Sequence, residues 1–297
     1  MSFSSEVKQE LAKQIGKSRH CQVAELAALI AFDGELDVDE EGFYLSLDTE
    51  NLGLMEKYIV LMRHLFSLEP SIALGEKEWK RVLETVKMWD MKKEKPDIRR
   101  TVDGILVQQL CCRRAFIRGA FLAGGSISDP NKSYHFEIVC KSEAQAEQLR
   151  EMINSFDMDA KIVLRKKYYV VYLKEGSQIV DILNVMEAHV ALMELENVRI
   201  LKEMRNSVNR KVNCETANIS KTVNAAVKQV QDIEYIRDTA GLESLPENLR
   251  EMALLRLEYP EAALKELGTY LNPPVGKSGV NHRLRKLSAI AEELRGQ

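Results

Sequence analysis

Long apolar segments are missing from this chain of 297 residues. No run approaches the length needed to span a bilayer, and the N-terminus lacks the apolar segment of a signal peptide. We therefore expect a cytoplasmic protein with no membrane partner. P-loop, GxGxxG and Ser-His-Asp patterns are also missing, so the sequence offers no enzymatic motif of those types and predicts no cofactor.

Cysteine and histidine are both scarce, with five residues of each. The cysteine count is odd, Cys111 and Cys112 are adjacent, and no CxxC pair occurs. This pattern favours reduced thiols over a disulfide framework or a zinc site. The histidines are dispersed along the chain, so we expect no metal site.

Charge is distributed unevenly along the chain, whose formal net charge is −3. Residues 1–98 carry 13 basic and 19 acidic residues (−6), residues 99–198 carry 13 of each (0), and residues 199–297 carry 16 and 13 (+3). A hydrophobic content of 45% and a charged content of 29% are typical of a globular protein. The positive C-terminal end is the more plausible place for a nucleic-acid partner.

One motif occurs twice at a constant offset of 91 residues. Leu26–Gly34 (LAALIAFDG) and Ile117–Gly125 (IRGAFLAGG) are each rich in small residues and end at a glycine. Small side chains let helices approach closely, so the motif predicts two helices packed against each other between similar half-domains. Metal-dependent cleavage of DNA across such a pair needs an acid from each half. Asp33 supplies one acid, but Gly124 occupies the second position, so we predict no catalytic residues.

Alternating and helical patterns follow each copy of the motif and predict two αββαββα units, giving an α+β fold. We assign residues 1–205 to this pseudo-symmetric domain, with halves 1–95 and 99–205 separated by the charged stretch 92–97. Residues 206–222 are polar and rich in Asn, and are predicted to form an ordered linker. Residues 223–297 are predicted to form an all-α helix-turn-helix domain.

The C-terminal domain contains the strongest functional signal. A short helix over 261–268, a turn over 272–276 and a helix over 279–294 capped by Ser278 predict a helix-turn-helix motif. No acid occurs from Gly276 to Ala291, which suits a recognition helix facing bases and phosphates. The predicted DNA-binding residues are Lys265, Lys277, Ser278, Asn281, His282, Arg283, Arg285 and Lys286. Among them, Asn281 and Arg283 are expected to reach bases, and Arg285 and Lys286 to contact phosphates.

Each of these signals has a simpler alternative. The basic stripe of the C-terminal helix could be only a solvated surface. A secondary DNA contact is predicted at Arg165, Lys166 and Lys167 in a hairpin turn, where basic residues also serve solubility, and at Asn209, Arg210 and Asn213. Asparagine can read adenine, but it also caps helices and closes turns.

The repeated motif resembles the LAGLIDADG motif of homing endonucleases, with one acid lost. The segments Met1–Lys8, Arg118–Ser126, Asn209–Asn218 and Ser278–Leu287 together resemble the WhiA family, and this resemblance runs nearly end to end. It implies a degenerate LAGLIDADG-like domain followed by a DNA-binding domain. The C-terminal domain is also similar to the promoter-reading domain of sigma factors.

The WhiA resemblance implies a regulator that binds promoter DNA in cell division, chromosome segregation or sporulation. Its expected partners are double-stranded DNA and RNA polymerase or a sigma factor, and it would associate with the nucleoid. Two alternatives stay open. One is a protein-interaction module tethered to the nucleoid by its C-terminal domain, and the other is a residual homing-type endonuclease.

Overall fold

The computed structural model describes residues 2–39, 42–68, 76–89 and 98–296. They form two compact units, Met1–Glu203 and Met204–Gln297. The elements of the first unit are α1 (Phe3–Lys13), α2 (Arg19–Asp33), β1 (Gly34–Asp39), β2 (Gly42–Leu47), α3 (Leu52–Phe66), α4 (Glu76–Thr85), α5 (Leu110–Gly124), β3 (Gly125–Ile127), β4 (Phe136–Cys140), α6 (Glu143–Asn154), β5 (Lys161–Arg165), β6 (Tyr168–Leu173) and α7 (Gly176–Met186). The long helix α8 (His189–Thr239) follows, and α9 (Glu247–Glu258), α10 (Leu264–Tyr270) and α11 (Lys277–Arg295) complete the second unit.

The two copies of the repeated motif form α2 and α5, which pack against each other along the core of the first unit. They lie close together at Ala28 and Gly119, a pair related by the same offset of 91 residues. A Cβ atom built on Gly119 would lie 2.8 Å from the Cβ of Ala28 and 2.8 Å from the backbone oxygen of Glu25. The predicted close helix pair is therefore present, and the absence of a side chain at Gly119 permits it.

The second half of this unit has the predicted αββαββα order, from α5 to α7. Its four strands form an antiparallel sheet in the order β3-β4-β6-β5. Phe136, Ile138 and Cys140 alternate toward the core, so one face of the sheet is buried under the helices and the other is more exposed. Period-two alternation of this kind is what predicted β4.

The first half departs from the predicted repeat. It begins with α2, the hairpin β1–β2 and α3, and the next element among the described residues is a helix, α4, where the repeat predicts a second strand pair. Among the described residues after α3, the only pairing in this half is an isolated bridge between Trp89 and Ile98. The charged stretch 92–97, predicted to separate the halves, lies outside the described residues.

A buried ionic cluster joins the helices at the centre of the first unit. The Lys57 ammonium lies 2.5 Å from a Glu25 carboxylate oxygen, and both side chains are fully buried. Arg118 donates to both oxygens of the same carboxylate, at 2.8 and 3.1 Å, and to Glu187 at 2.6 Å. Burial lowers the pKa of Lys57 to about 8, although Glu25 opposes this shift. No local pattern in the sequence indicates this cluster, because its residues are far apart in the chain.

Residues 206–222, predicted to be a linker, lie within the continuous helix α8 of 51 residues. The boundary between the two compact units also falls within this helix. No glycine or proline occurs between His189 and Thr239, so no residue of that kind breaks the helix. Among the described residues, no helix is long and apolar enough to cross a membrane.

The second unit has its own apolar core. It includes Ile233 and Ile236 from α8, Met252 from α9, Leu267 from α10 and Leu284 from α11. This core holds α10 and α11 in the helix-turn-helix arrangement that the sequence predicted. The first helix of the motif spans Leu264–Tyr270, about one turn later than predicted.

Candidate nucleic-acid interface

The candidate recognition helix is α11, and its buried face is defined by a helical spacing of apolar residues. Val280, Leu284, Leu287 and Ala291 are buried against the core of the second unit. They follow the i, i+4, i+7, i+11 pattern of one helix face. The helix begins at Lys277, with Gly276 at the N-cap position and no side-chain cap. The prediction that Ser278 caps this helix is therefore wrong, because Ser278 lies inside the first turn.

The opposite face of α11 is exposed and basic. Ser278, His282, Arg285 and Lys286 are all exposed, and the first three are spaced i, i+4, i+7. Side chains at these spacings point in one direction, away from the buried face. Lys277 and the Lys265 side chain on α10 are exposed as well. Six of the eight predicted DNA-binding residues are thus available to solvent.

The two remaining predicted residues, Asn281 and Arg283, lie on the flanks of α11 and are partly buried. The guanidinium of Arg283 donates to the backbone oxygen of Asn248 at 3.4 Å and lies 3.8 Å from a carboxylate oxygen of Glu251, both on α9. Asn281 lines a cavity of about 830 Å³ between α11, α8 and the segment before α10. Arg283 is thus engaged within its own unit, and Asn281 faces a cleft.

Two features hold the helix-turn-helix motif together. Gly268 accepts a hydrogen bond at its carbonyl from the Val275 amide at 2.9 Å, and an added Cβ there would lie 2.0 Å from the Val275 oxygen. The buried Arg256 donates to Gln229 on α8 at 2.9 and 3.1 Å and to the Ala262 carbonyl at 2.8 Å. The turn before α11 and the segment before α10 are thereby fixed on the rest of the unit.

The predicted secondary contact at the β5–β6 turn is a partly engaged basic surface. Arg165 donates to Glu137 at 3.0 Å, and the His135 ring lies 2.8 Å from the same oxygen of Glu137. Lys166 has the left-handed backbone of the turn, and the Lys167 ammonium lies 5.3 Å from the centre of the Tyr168 ring. An acid therefore neutralises part of the positive charge on this exposed sheet face.

The three predicted contacts Asn209, Arg210 and Asn213 are exposed on α8. The Arg210 guanidinium donates to the Asn206 carbonyl one turn earlier, at 3.3 Å. The structure therefore places these residues on a helix surface, where they neither cap a helix nor close a turn.

The surviving acid of the repeated motif, Asp33, lies at the end of α2 among cations. Burial raises the pKa of Asp33 to about 6, although the positive charges of Lys141, Lys8 and Arg100 oppose this shift. Arg100 also donates to the backbone oxygens of Ala31 and Gly34, at 3.3 and 2.8 Å, at the end of the helix. These positive charges disfavour the binding of a metal ion beside Asp33.

The position of the lost acid, Gly124, is closed by backbone. A Cβ on Gly124 would lie 2.8 Å from the Val139 backbone oxygen on β4 and 3.4 Å from the Phe32 ring. Any side chain at this position would therefore have to displace the strand. The loss of the acid is accompanied by packing that leaves it no space.

Comparisons with known proteins agree with this architecture. Three family descriptions match: the WhiA N-terminal LAGLIDADG-like domain over residues 19–79, the WhiA LAGLIDADG-like domain over 113–205 and the WhiA C-terminal HTH domain over 208–291. The "Probable cell division protein WhiA" of Lachnoclostridium phytofermentans is 53% identical over 313 residues, covering 99% of this chain and 100% of that protein. The protein of the same name from Alkaliphilus oremlandii is 51% identical, covering 99% and 98%.

A solved structure matches along the whole length. The crystal structure of full-length DUF199/WhiA from Thermatoga maritima is 28% identical, with a TM-score of 0.59 and coverage of 99% of both chains. The LAGLIDADG-like domain and the helix-turn-helix domain predicted from sequence are thus confirmed. The chain belongs to the WhiA family.

Proposed function

We propose that this protein is a non-enzymatic, sequence-specific DNA-binding regulator of transcription. The observation that carries the proposal is the exposed face of α11, where Ser278, His282, Arg285 and Lys286 project from a helix that is buried on its opposite side. No acid occurs from Gly276 to Ala291. A helix of this kind can enter the major groove and present donors to base edges and phosphates.

The roles within α11 follow from the direction of each side chain. Ser278 and His282 lie early on the outward face and are proposed to read bases, while Arg285, Lys286, Lys277 and Lys265 contact phosphates. Arg283, expected from sequence to read a base, is proposed instead to orient α11 through Asn248 and Glu251 on α9. Asn281 is proposed to contribute from the flank of the helix.

The relatives are named as cell division proteins, and we extend this role to the present chain. We propose that it binds promoter regions in the nucleoid, in the cytoplasm, and controls genes of division, chromosome segregation or sporulation. RNA polymerase or a sigma factor is the proposed protein partner. Arg165–Lys167 and the α8 residues Asn209, Arg210 and Asn213 are proposed as a secondary DNA contact.

Genome-wide occupancy mapping would identify target sites, and binding titrations would then test α11. We expect Arg285→Ala to weaken binding of the full chain to target and scrambled duplexes alike and to lower the slope of log affinity against log salt by about 1. We expect His282→Ala to reduce the difference in binding free energy between the target and scrambled duplexes by about 1–3 kcal/mol.

Lys228→Ala is the matched control for loss of charge. Lys228 pairs with Glu292 near the far end of α11, at 3.1 Å, roughly 20 Å along the helix from Ser278. The DNA affinity of the Lys228→Ala variant should match that of the wild type at physiological salt. Equal effects of Arg285→Ala and Lys228→Ala would place the DNA surface elsewhere, with the β5–β6 turn as the next candidate.

The absence of nuclease activity is part of the proposal. It is supported by the cations around Asp33 and by the closed position at Gly124. Purified protein incubated with duplex DNA and magnesium should leave the DNA intact. Cutting that disappears in Asp33→Ala would establish the endonuclease alternative.

The interaction-module alternative has its own test. A chain without residues 204–297 lacks the second compact unit and its α11. If α11 carries the function, this truncated chain should not support normal division in cells lacking the full protein. Full rescue would mean that the first unit acts by binding a protein.

A further inference from the structure

Four potential metal ligands meet at the N-terminal ends of α2 and α5. They are His20 and Cys21 from α2 and Cys111 and Cys112 from α5, and their ligand atoms all lie within 4.8 Å of one another. The His20 Nδ1 atom lies 3.1 Å from the Cys112 sulfur, 3.3 Å from the Cys21 sulfur and 4.0 Å from the Cys111 sulfur. The imidazole nitrogen thus faces all three thiols.

The cluster follows the internal symmetry of the unit. His20 and Cys111 are separated by 91 residues, and so are Cys21 and Cys112, the offset that relates the two copies of the repeated motif. Each helix therefore contributes its second and third residues, counted from Arg19 in α2 and from Leu110 in α5. Pairing of the two helices places these adjacent residues around a common centre.

The donor set and its spacing suit a tetrahedral zinc ion. Three cysteines and one histidine form a recognised structural zinc set, with Zn–S near 2.3 Å and Zn–N near 2.0 Å. Tetrahedral geometry at those lengths separates neighbouring ligand atoms by roughly 3.5–3.8 Å. The observed separations bracket this range, so small side-chain rotations would complete the coordination.

We propose that His20, Cys21, Cys111 and Cys112 bind one Zn²⁺ ion that clamps the starts of the two pseudo-symmetric helices. The three thiols release their protons to solvent as their sulfurs donate electron pairs to zinc, and neutral His20 binds through Nδ1. The site lies at the ends of the helices opposite Asp33 and Gly124.

The surroundings suit the resulting complex, which carries one net negative charge. Both ligand pairs lie in the first turn of a helix whose N-cap side chain makes no hydrogen bond, so the positive ends of the two helix dipoles face the sulfurs and favour thiolates. Lys17 and Arg114 line a cavity of about 430 Å³ together with Cys21 and Cys111. This cavity offers an entry path for the ion and positive charge beside it.

Cobalt provides a direct test, because Co²⁺ absorbs strongly in tetrahedral thiolate sites. Full-length protein, reduced and freed of metal with a chelator, should bind one Co²⁺ per chain with thiolate charge-transfer and visible bands. Zn²⁺ should displace it and raise the melting temperature. Loss of a partner outside the coordination shell commonly costs about 10–100-fold in affinity, so loss of a ligand should cost at least about 100-fold.

Cys111→Ser is the informative variant, because Cys111 is exposed and its substitution should leave folding intact. Cys214→Ser, at an exposed cysteine outside the cluster, is the matched control. We expect Cys111→Ser to lose at least about 100-fold in Zn²⁺ affinity and to lose the zinc-dependent rise in melting temperature. The control should match the wild type in both.

Two results would overturn the proposal. One is the absence of tetrahedral Co²⁺ bands and of Zn²⁺ binding in the reduced wild-type protein. The other is equal metal affinity in Cys111→Ser and Cys214→Ser. Protein purified without reductant that contains a disulfide within the cluster, and binds no metal after reduction, would identify the thiols as a redox pair instead.

Discussion

The packing of α2 against α5 depends on the absence of a side chain at Gly119, so an alanine there would disturb it. The new Cβ would lie 2.8 Å from the Ala28 Cβ and 2.8 Å from the Glu25 backbone oxygen. Both neighbours are close to or part of the backbone, so a change of side-chain rotamer cannot relieve the overlap. The two helices must move apart.

The expected loss of stability combines two opposing effects. Overpacking in a core typically costs about 1–3 kcal/mol, and contact with a backbone oxygen belongs at the upper end of that range. Replacing glycine by alanine inside a helix contributes about 1 kcal/mol in the other direction. We therefore expect Gly119→Ala to reduce the free energy of unfolding by roughly 1–2 kcal/mol, or to lower the melting temperature by about 2–8 °C.

Tryptophan fluorescence during urea unfolding reports the stability of the first compact unit, which contains Gly119. Both tryptophans, Trp79 and Trp89, belong to the first unit, where their rings stack at 4.6 Å. Gly104→Ala is the matched control, because no atom lies within 4 Å of a Cβ built there. That variant should be neutral or stabilised by about 0.4–1 kcal/mol. Equal midpoints for Gly119→Ala and Gly104→Ala would refute the close helix contact.

Two further predictions concern ionised groups in the first unit. The pKa of Asp33 is raised to about 6 by burial, so its ionisation opposes folding as pH rises from about 4 to 6, by up to about 3 kcal/mol. Asp33→Asn should therefore raise the melting temperature at pH 7 and remove this decline; a variant less stable than wild type at pH 7 would contradict it. Glu25→Gln should cost about 3–5 kcal/mol in urea unfolding, because buried Lys57 and Arg118 lose their shared carboxylate. Adding Lys57→Met should recover part of that loss. A cost below about 1 kcal/mol for Glu25→Gln alone would show that the ion pairs of Glu25 do not stabilise the fold.

Elements with a clear period could be predicted from the sequence. The helical spacing of apolar residues over 52–66 matches α3, and the strand-like segments 134–140, 161–164 and 167–173 match β4, β5 and β6 to within two residues at their starts. In α3 and β4 the apolar spacing reflects one buried face. The first half was predicted only in part, because the repeat implies a second strand pair after α3, whereas the described residues there form the helix Glu76–Thr85 and one bridge between Trp89 and Ile98.

The linker prediction shows the limit of composition as a guide. Asparagine-rich sequence was interpreted as a connection between helices, yet α8 continues through it. Asparagine lowers helix propensity only modestly compared with glycine or proline, and neither of these occurs between His189 and Thr239. The absence of a strong breaker was the more informative signal.

The candidate interface was visible in the sequence only in part. The acid-free run identified α11, and the spacing of Val280, Leu284 and Leu287 could have defined its buried face. The partner of Arg283 could not be predicted, because Asn248 and Glu251 lie on another helix. The composition of the sequence indicates the helix α11, but the packing of α11 against α9 determines which of its basic residues are exposed to solvent.

The cysteine cluster was missed because metal motifs were sought as short local spacings. Its ligands are two adjacent pairs 91 residues apart, which have no meaning as a motif until the two helices are paired. The offset of the internal repeat was itself the missing signal. Searching for ligand types at equivalent positions of the two copies would have placed His20 beside Cys111 and Cys21 beside Cys112.

The two ends of the helix pair have different surroundings. At the end that carries the acid in a cutting enzyme, Val139 closes the position of Gly124 and cations surround Asp33. A single substitution at Gly124 could not restore a metal-binding pair, because the added side chain would have to displace β4. At the other end, two exposed and two more buried ligands converge from both halves. An ion held there would strengthen the contact between the halves at the helix ends opposite Asp33 and Gly124, so metal binding at the cysteine cluster would not depend on the lost cleavage site.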